Sequence, residues 1–253
     1  MRGESCRRTL SEYALRVGQS IMSQIAERMQ AVRERIAAAA MAAGRQPDEV
    51  RLLAVSKTFP AADIAHAVAA GQTAFGENYV QEALAKMQAL PQLREIEWHL
   101  IGPLQSNKTA SVAGNFAWVH SVDREKVAAR LSAARPDSSP PLSVCVQVNI
   151  SGEATKSGVA PDGALALVAS VAALPRLRLR GLMGIAEPGP QAGIPRQQFR
   201  LLRELRDELR SRGFELDTLS MGMSADLEAA IAEGSTMVRI GSAIFGDRHA
   251  EAT

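Results

Sequence analysis

Aromatic residues are scarce in this sequence, and charge of neither sign dominates it. Phe, Trp and Tyr make up 4% of the 253 residues, and the formal net charge is +2 at pH 7. The basic residues are scattered and do not form a stripe interleaved with aromatics, which is the pattern of a nucleic-acid-binding surface. The composition therefore excludes nucleic acid as the expected primary ligand.

Cysteine is equally sparse. Cys6 and Cys145 are far apart and form neither a CxxC pair nor a spacing typical of metal ligands. Disulfide frameworks and zinc sites need more thiols at shorter intervals. We expect neither a disulfide framework nor a metal site.

Long apolar runs are also missing. No run approaches the roughly 20 residues that a membrane-spanning helix requires, and Met1 to Gly18 is polar and arginine-rich, without the apolar segment of a secretory signal. We therefore expect a cytoplasmic protein with no membrane association. Residues 1–20 are interpreted as a mobile tail or a start-site extension, and residues 21–253 as a single domain.

The rest of the chain alternates between two hydrophobic periods. Apolar residues recur every three to four positions from Ile21 towards Gly44, which predicts an N-terminal amphipathic helix. Eight strand-like runs then alternate with helical patterns: Leu52–Lys57, Ala74–Asn78, Glu97–Gly102, Ala117–Val122, Leu142–Ile150, Leu177–Ile185, Thr218–Met223 and Met237–Phe245. This count predicts an α/β fold, a (β/α)₈ TIM-like barrel with an additional N-terminal helix. The competing open, doubly wound sheet more often has fewer strands.

Lys57 closes the first apolar strand, RLLAVSKTFP. Active sites of such barrels lie at the carboxyl ends of the strands. Apolar surroundings lower the pKa of a lysine, and a neutral amine can condense with an aldehyde. The alternative is a lysine that bends into solvent or pairs with an acid.

Small residues follow the seventh and eighth strands. Ser224, Gly241 and Ser242 each stand where a helical turn is predicted to begin, with the seventh helix pattern starting near Ala225. Free N–H groups at helix starts and nearby hydroxyls bind phosphate, and barrel enzymes hold phosphate at these two loops. Taken singly, Ser224 could be only a helix cap and Gly241 only a turn residue.

Arg239 interrupts the apolar eighth strand, where an unpaired guanidinium would be costly. It is either a salt-bridge partner or a donor to an anion or a ring nitrogen, and Glu77 and His99 are candidate partners for the site residues. An imine-forming lysine, a phosphate site and an arginine donor together fit pyridoxal 5′-phosphate (PLP). A sugar-phosphate aldolase is the alternative, although its lysine normally comes later in the barrel.

Several motifs, in order along the chain, resemble the pyridoxal phosphate homeostasis protein family. They are LLAVSKTFP, FGENYVQEA, WHLIGPLQSNK, WVHSVDR, VNISGEATKSG, LRGLMGI, LSMGMSADLEAAI and GSTMVRIGSAIFG. The resemblance runs from about Ile21 to Arg248 and implies a fold type III PLP-binding barrel, related to the barrel domain of alanine racemase.

The resemblance also implies residue roles. Lys57 would hold PLP as a Schiff base, and Asn78 would lie near the cofactor ring. Arg239 would face the pyridine nitrogen, and the phosphate would be held by Ser224, Gly241 and Ser242, the last being more often threonine in the family.

The implied function is to hold PLP and maintain its intracellular supply without significant turnover, so no catalytic residue is expected. The alternative is a PLP-dependent amino-acid racemase, in which Tyr79 or a water would act as the second base. Racemases take that base from an additional domain, which we do not expect here because the chain ends soon after its eighth strand. We expect a monomer that could deliver PLP to acceptor enzymes, and we interpret Lys108 and Lys156 as solvated loop residues.

Overall fold

A computed structural model describes residues 3–153, 155–187 and 193–246, with side chains described from residue 21 onward. Eight parallel strands close into a barrel in the order of the chain. They are β1 (Arg51–Val55), β2 (Ala74–Glu77), β3 (Glu97–Leu100), β4 (Trp118–Val122), β5 (Leu142–Gln147), β6 (Leu177–Met183), β7 (Thr218–Ser220) and β8 (Met237–Ile240). Because β1 pairs with β8 as well as with β2, the predicted (β/α)₈ barrel is confirmed and the open sheet is excluded.

Helices alternate with the strands on the outside of the barrel. They are α1 (Gly3–Ala42), α2 (Ala61–Ala69), α3 (Val80–Ala89), α4 (Thr109–Asn115), α5 (Glu125–Ala134), α6 (Ala164–Ala172), α7 (Gly193–Ser211), α8 (Leu227–Ala232) and α9 (Ser242–Phe245). Within the described part of the chain, none of them combines the length and the apolar character needed to cross a bilayer.

The additional N-terminal helix, α1, packs against α2, α8 and α9. Its buried side chains follow helical spacing, so that one face lies on the barrel: Ile25, Met29, Val32, Ile36 and Ala40. Burial of each larger side chain contributes about 1.5–3 kcal/mol. The helix begins at Gly3, ahead of the predicted start at Ile21. The side chains of residues 1–20 lie outside the described ones, and their interpretation as a tail or extension stays a prediction.

The barrel has an outer and an inner core. The outer core lies between strands and helices. Inside the barrel, the apolar side chains form two small separate clusters, made of Leu53, Ala74 and Met237 and of Trp118, Cys145 and Met183. Both faces of β1 are covered, and Leu52 to Val55 are buried, as expected for a parallel strand between helices and the barrel interior.

The predicted end of the eighth strand was wrong. β8 ends at Ile240, and the apolar run Ser242–Phe245 forms the helical turn α9, in which the N–H groups of Ile244 and Phe245 donate to the carbonyl of Gly241. The turn brings Phe245 onto Phe59, with ring centroids 5.0 Å apart. A short apolar run in a sequence fits either a strand or a helix. Here the run forms a helical turn that packs against the loop after β1.

The predicted start of the helix after β7 was also slightly wrong. α8 begins at Leu227 and not near Ala225, with Asp226 as its N-cap residue. A tight turn precedes it, in which the N–H of Met223 donates to the Asp226 carboxylate at 2.5 Å. Ser224 therefore lies in this turn and is not the helix cap.

Candidate functional site

The carboxyl-terminal ends of β7, β8, β1 and β2 lie side by side, because β8 pairs with both β7 and β1 and β1 pairs with β2. All the predicted site residues lie on or directly after these four strands: Ser224, Arg239, Gly241, Ser242, Lys57 and Asn78. The closed barrel thus brings them to one arc of its mouth, although they are spread over most of the chain.

Lys57 lies in the turn that follows β1 and is half-buried. The next residue, Thr58, has a φ of 67°, a left-handed conformation that is strained for a β-branched residue. Such strain costs about 1–3 kcal/mol and persists only where the surroundings fix the backbone. The turn that carries the lysine is therefore held in a defined shape.

Lys86 of α3 supplies much of that constraint. Its Nζ donates to the carbonyl oxygen of Ser56 at 2.7 Å and to Oε1 of Glu82 at 2.6 Å. The same carboxylate oxygen of Glu82 accepts the N–H of Thr58 at 2.5 Å. Lys86 and Glu82 thus hold the residues on either side of Lys57.

Glu77 ends β2 and is fully buried. Its Oε1 accepts hydrogen bonds from Lys86 Nζ at 2.7 Å and from the Ser56 hydroxyl at 2.6 Å. Burial raises the pKa of Glu77, while the charge of Lys86 opposes the shift. Sequence reasoning identified Glu77 but missed Lys86, although this lysine falls on the buried stripe of α3 with Val80 and Ala83.

Asn78 follows β2 and is half-buried. The loop after β3 passes directly over its backbone at Gly102, where a Cβ atom would overlap the carbonyl group and Cα of Asn78. The N–H of Ile101 donates to the carbonyl of Glu77 at 2.9 Å. Glycine at position 102 is therefore what allows the loop after β3 to fix Asn78.

Arg239 is 5% exposed and connects the ends of three strands. Its Nη1 donates to the carbonyl and hydroxyl oxygens of Ser220 at 2.5 and 3.0 Å, and its Nη2 donates to the carbonyl of Gly184 at 3.0 Å. Burial lowers the pKa of Arg239 to about 10, so it stays charged at neutral pH. A guanidinium has five N–H groups; these bonds use three, and no other acceptor among the described residues takes the remaining two.

The predicted phosphate residues lie on the loops after β7 and β8. Gly241 passes close to β1, since a Cβ there would lie 3.1 Å from the Val55 carbonyl oxygen. Ser242 is exposed and opens α9, whose first N–H groups have no partner within the helix. The carbonyl of Ser224 accepts a hydrogen bond from Arg35 of α1 at 2.8 Å. Because α8 and α9 are short, the donors here are individual N–H and hydroxyl groups more than a helix dipole.

The other candidate residues lie elsewhere. Tyr79 is 59% exposed at the start of α3. Lys108 lies in the 3₁₀ turn after β3, and Lys156 pairs with Glu153 at 3.0 Å. His99 does not reach the arc of site residues and instead bonds to other side chains inside the barrel.

Known proteins resemble this chain in sequence and in fold. Residues 28–249 match the family described as alanine racemase, N-terminal domain. The pyridoxal phosphate homeostasis protein of Pseudomonas aeruginosa is 58% identical over 227 residues, which are 90% of this chain and 97% of that protein. The protein of the same name from Escherichia coli K12 is 53% identical over 232 residues, covering 90% of this chain and 98% of that protein.

Among solved structures, PipY from Synechococcus elongatus with PLP bound has a TM-score of 0.78 and 38% sequence identity, over 88% of this chain and 100% of that chain. The similarity to these proteins, in sequence and in fold, therefore extends over most of this chain. The chain belongs to the pyridoxal phosphate homeostasis protein family, within the wider family of the alanine racemase N-terminal domain.

Proposed function

We propose that this protein binds PLP through a Schiff base on Lys57 and maintains the intracellular supply of PLP without significant turnover of a substrate. It would act as a monomer in the cytoplasm and release PLP to acceptor enzymes. The relatives named above carry PLP homeostasis in their names, and PipY has been solved with PLP bound.

The observation that carries the proposal is the arrangement of donors on four neighbouring strands. PLP brings an aldehyde that condenses with a primary amine, together with a ring nitrogen and a phosphate. Lys57 offers the amine in the turn after β1, and Arg239 offers two N–H donors without an acceptor among the described residues. Between and beside them, Ser224, Gly241 and Ser242 offer N–H and hydroxyl donors to an anion.

Arg239 is also the reason to expect little turnover. A guanidinium that stays charged would donate to the ring nitrogen of bound PLP and would leave that nitrogen unprotonated, since two positive groups do not share one hydrogen bond. An unprotonated ring withdraws electrons weakly and supports transaminase-type chemistry poorly. Burial lowers the pKa of Arg239 only to about 10, which leaves this argument intact at neutral pH.

A racemase would need a second proton donor on the face of the cofactor opposite Lys57. Tyr79 was the candidate in this chain, but it is 59% exposed at the start of α3. This position supports the binding function over the racemase. The further possibility of a sugar-phosphate aldolase is disfavoured because its lysine normally comes later in the barrel, whereas Lys57 directly follows the first strand.

The test is a titration of the purified protein with PLP, followed by visible absorbance and by a racemisation assay with alanine and serine. We expect a Schiff-base absorbance in the wild type and in Lys108→Ala, no such absorbance in Lys57→Ala, and no racemisation above that of free PLP. Racemisation at ordinary enzyme rates, about 1 s⁻¹ or faster, would show that the protein is an enzyme. Absence of both the absorbance and a borohydride-reduced adduct would favour the aldolase.

A further inference from the structure

A continuous chain of polar side chains crosses the inside of the barrel behind Arg239. Arg239 Nη1 lies 3.0 Å from Ser220 Oγ, which lies 2.8 Å from His120 Nδ1. His120 Nε2 lies 2.9 Å from His99 Nδ1, and His99 Nε2 lies 2.7 Å from Glu97 Oε1. We call these five residues, Arg239, Ser220, His120, His99 and Glu97, the interior chain.

The interior chain links the site to the opposite end of the barrel. Ser220, His120 and His99 are fully buried, whereas the Glu97 side chain is 33% exposed and pairs with Arg51 at 2.7 Å. Ser220 ends β7, while the two histidines lie on the neighbouring strands β4 and β3. The bond between Ser220 and His120 therefore crosses the barrel interior between strands that are not neighbours. The interior chain runs through a region in which the apolar side chains of the described residues form two small separate clusters.

When both imidazoles are neutral, the hydrogen bonds of the chain can point in only one direction. The Glu97 carboxylate accepts, so His99 must carry its proton on Nε2 and present Nδ1 as an acceptor. His120 must then donate from Nε2 and accept at Nδ1, and the Ser220 hydroxyl must donate to that nitrogen. The lone pairs of Ser220 are left to accept from Arg239. Every donor thus points from Arg239 towards Glu97.

The ionisation of the groups agrees with this pattern. Burial lowers the pKa of His99 and lowers that of His120 well below its usual range, so both are neutral. Although burial opposes ionisation of Glu97, its hydrogen bond to His99, the charge that His99 carries once protonated and the charge of Arg51 lower its pKa to about 2. His99 carries that charge only at a pH below its usual titration range, because burial lowers the pKa of His99. Outside the interior chain, Asp226 and Cys145 are the described residues whose charges raise the pKa of Arg239.

We propose that Ser220 and His120 are positioning residues for Arg239, and that the interior chain fixes the orientation in which its guanidinium donates to the ligand. The hydroxyl of Ser220 cannot rotate to donate elsewhere, because His120 requires its proton. Nη1 is therefore held towards Ser220, and the two remaining N–H groups keep one direction. The effect on PLP rests on the function proposed above; the direction of the chain does not.

The direction of the hydrogen bonds and their effect on PLP binding are tested by separate measurements. Without PLP, nitrogen-detected NMR of the imidazoles should show His99 and His120 as neutral tautomers protonated on Nε2. In Ser220→Ala, the His120 Nδ1 resonance should move because it loses its donor. A tautomer protonated on Nδ1, or a charged imidazole at pH 7, overturns the proposal whether or not the protein binds PLP.

With PLP, the matched control is Ser235→Ala. Ser235 is equally buried and its hydroxyl bonds only backbone carbonyls, those of Leu219, Met221 and Met237. We expect Ser220→Ala to raise the PLP dissociation constant about tenfold, the effect of losing one charge-assisted hydrogen bond. It should also shift the pH at which the Schiff base loses its proton upward by about half a unit or more, while Ser235→Ala leaves both near wild type.

His120→Phe serves as the second variant, because it removes the same bond to Ser220 from the other side. We expect the same direction of change in both PLP readouts. If Ser220→Ala and Ser235→Ala have equal effects on affinity and on the Schiff-base titration, the interior chain only fills the barrel and the proposal is wrong. If the wild type itself gives no Schiff-base absorbance, the proposed function fails, and the NMR result still decides the direction of the chain.

Discussion

The ammonium group of Lys86 lies 2.7 Å from Oε1 of Glu77, and the two side chains are only 7% and 0% exposed. Neither residue belongs to the arc of predicted ligand-binding residues, yet both bond to Ser56, the residue before Lys57. Lys86 also bonds to Glu82, which accepts the N–H of Thr58 on the other side of Lys57. A buried ion pair contributes little net stability, but removal of one partner leaves a buried charge without compensation. The shape of the turn that carries Lys57 therefore depends on Lys86 and Glu77, although neither is predicted to contact the ligand.

We predict that Lys86→Met lowers the free energy of unfolding by about 3–5 kcal/mol and weakens PLP binding, because the residues on either side of Lys57 lose their anchor. Urea denaturation and PLP titration measure the two effects. The control is Lys126→Met, an exposed lysine on α5, which should change neither. An unchanged stability of Lys86→Met would mean that Glu77 is neutral and needs no partner.

Gly102→Ala should disturb Asn78, because the added methyl group would overlap its backbone. We expect a loss of stability of about 1–3 kcal/mol, as for other overpacked sites, together with weaker PLP binding. Gly114→Ala is the control, since a Cβ at Gly114 meets nothing within 4 Å; alanine within α4 should stabilise slightly. Equal stabilities of the two variants would show that the loop after β3 adapts freely.

The buried histidines predict a pH dependence of stability. Burial lowers the pKa of His99 and His120 in the folded state, so below about pH 6.5 the unfolded chain binds protons that the folded chain does not. The free energy of unfolding should therefore be fully maintained above pH 6.5 and fall as the pH drops towards 5. The slope is at most about 1.4 kcal/mol per pH unit for each histidine.

Other titratable groups also change the stability between pH 7 and 5, so the test compares wild type with a variant that lacks one histidine. Burial raises the pKa of Glu77 and of Asp226, and these carboxyls contribute with the opposite sign as the pH falls. The free energy of unfolding is measured for wild type and for His120→Phe between pH 7 and 5. Because both proteins contain Glu77 and Asp226, the contribution of these carboxyls cancels in the difference. The variant should lose less stability over this range; a decline as steep as that of the wild type would contradict a neutral, buried His120.

Much of the fold could be predicted because each strand carries its own local signal. The run from Leu52 to Val55 is apolar throughout, as both faces of β1 are covered. The errors came at places where local pattern is ambiguous. Ser242 to Phe245 has the apolar composition of a strand and was included in the eighth strand run, although a helical turn was also predicted to begin at Ser242. In the structure these residues form the turn α9, which packs Phe245 on Phe59.

The site was predictable only in part for a similar reason. Lys57, Arg239 and Ser242 stand at the carboxyl ends of strands, where the active sites of such barrels lie. A reactive or charged residue at these positions therefore predicts a functional role. The bond between His120 and Ser220 joins residues 100 positions apart, on strands that are not neighbours. The hydrophobic periodicity of the sequence cannot predict a contact between such distant residues. The role of Lys86 could not be predicted either, because a lysine on a helix is normally solvated.

The most direct test of the central claim is borohydride reduction of the protein with PLP at stoichiometric concentration, followed by peptide mapping. We predict a single modified peptide that carries the cofactor on Lys57, with no modification at Lys108 or Lys156. The same treatment of Lys57→Ala should leave the protein unmodified. A cofactor reduced onto any other lysine of the wild type, with Lys57 unmodified, would contradict the account.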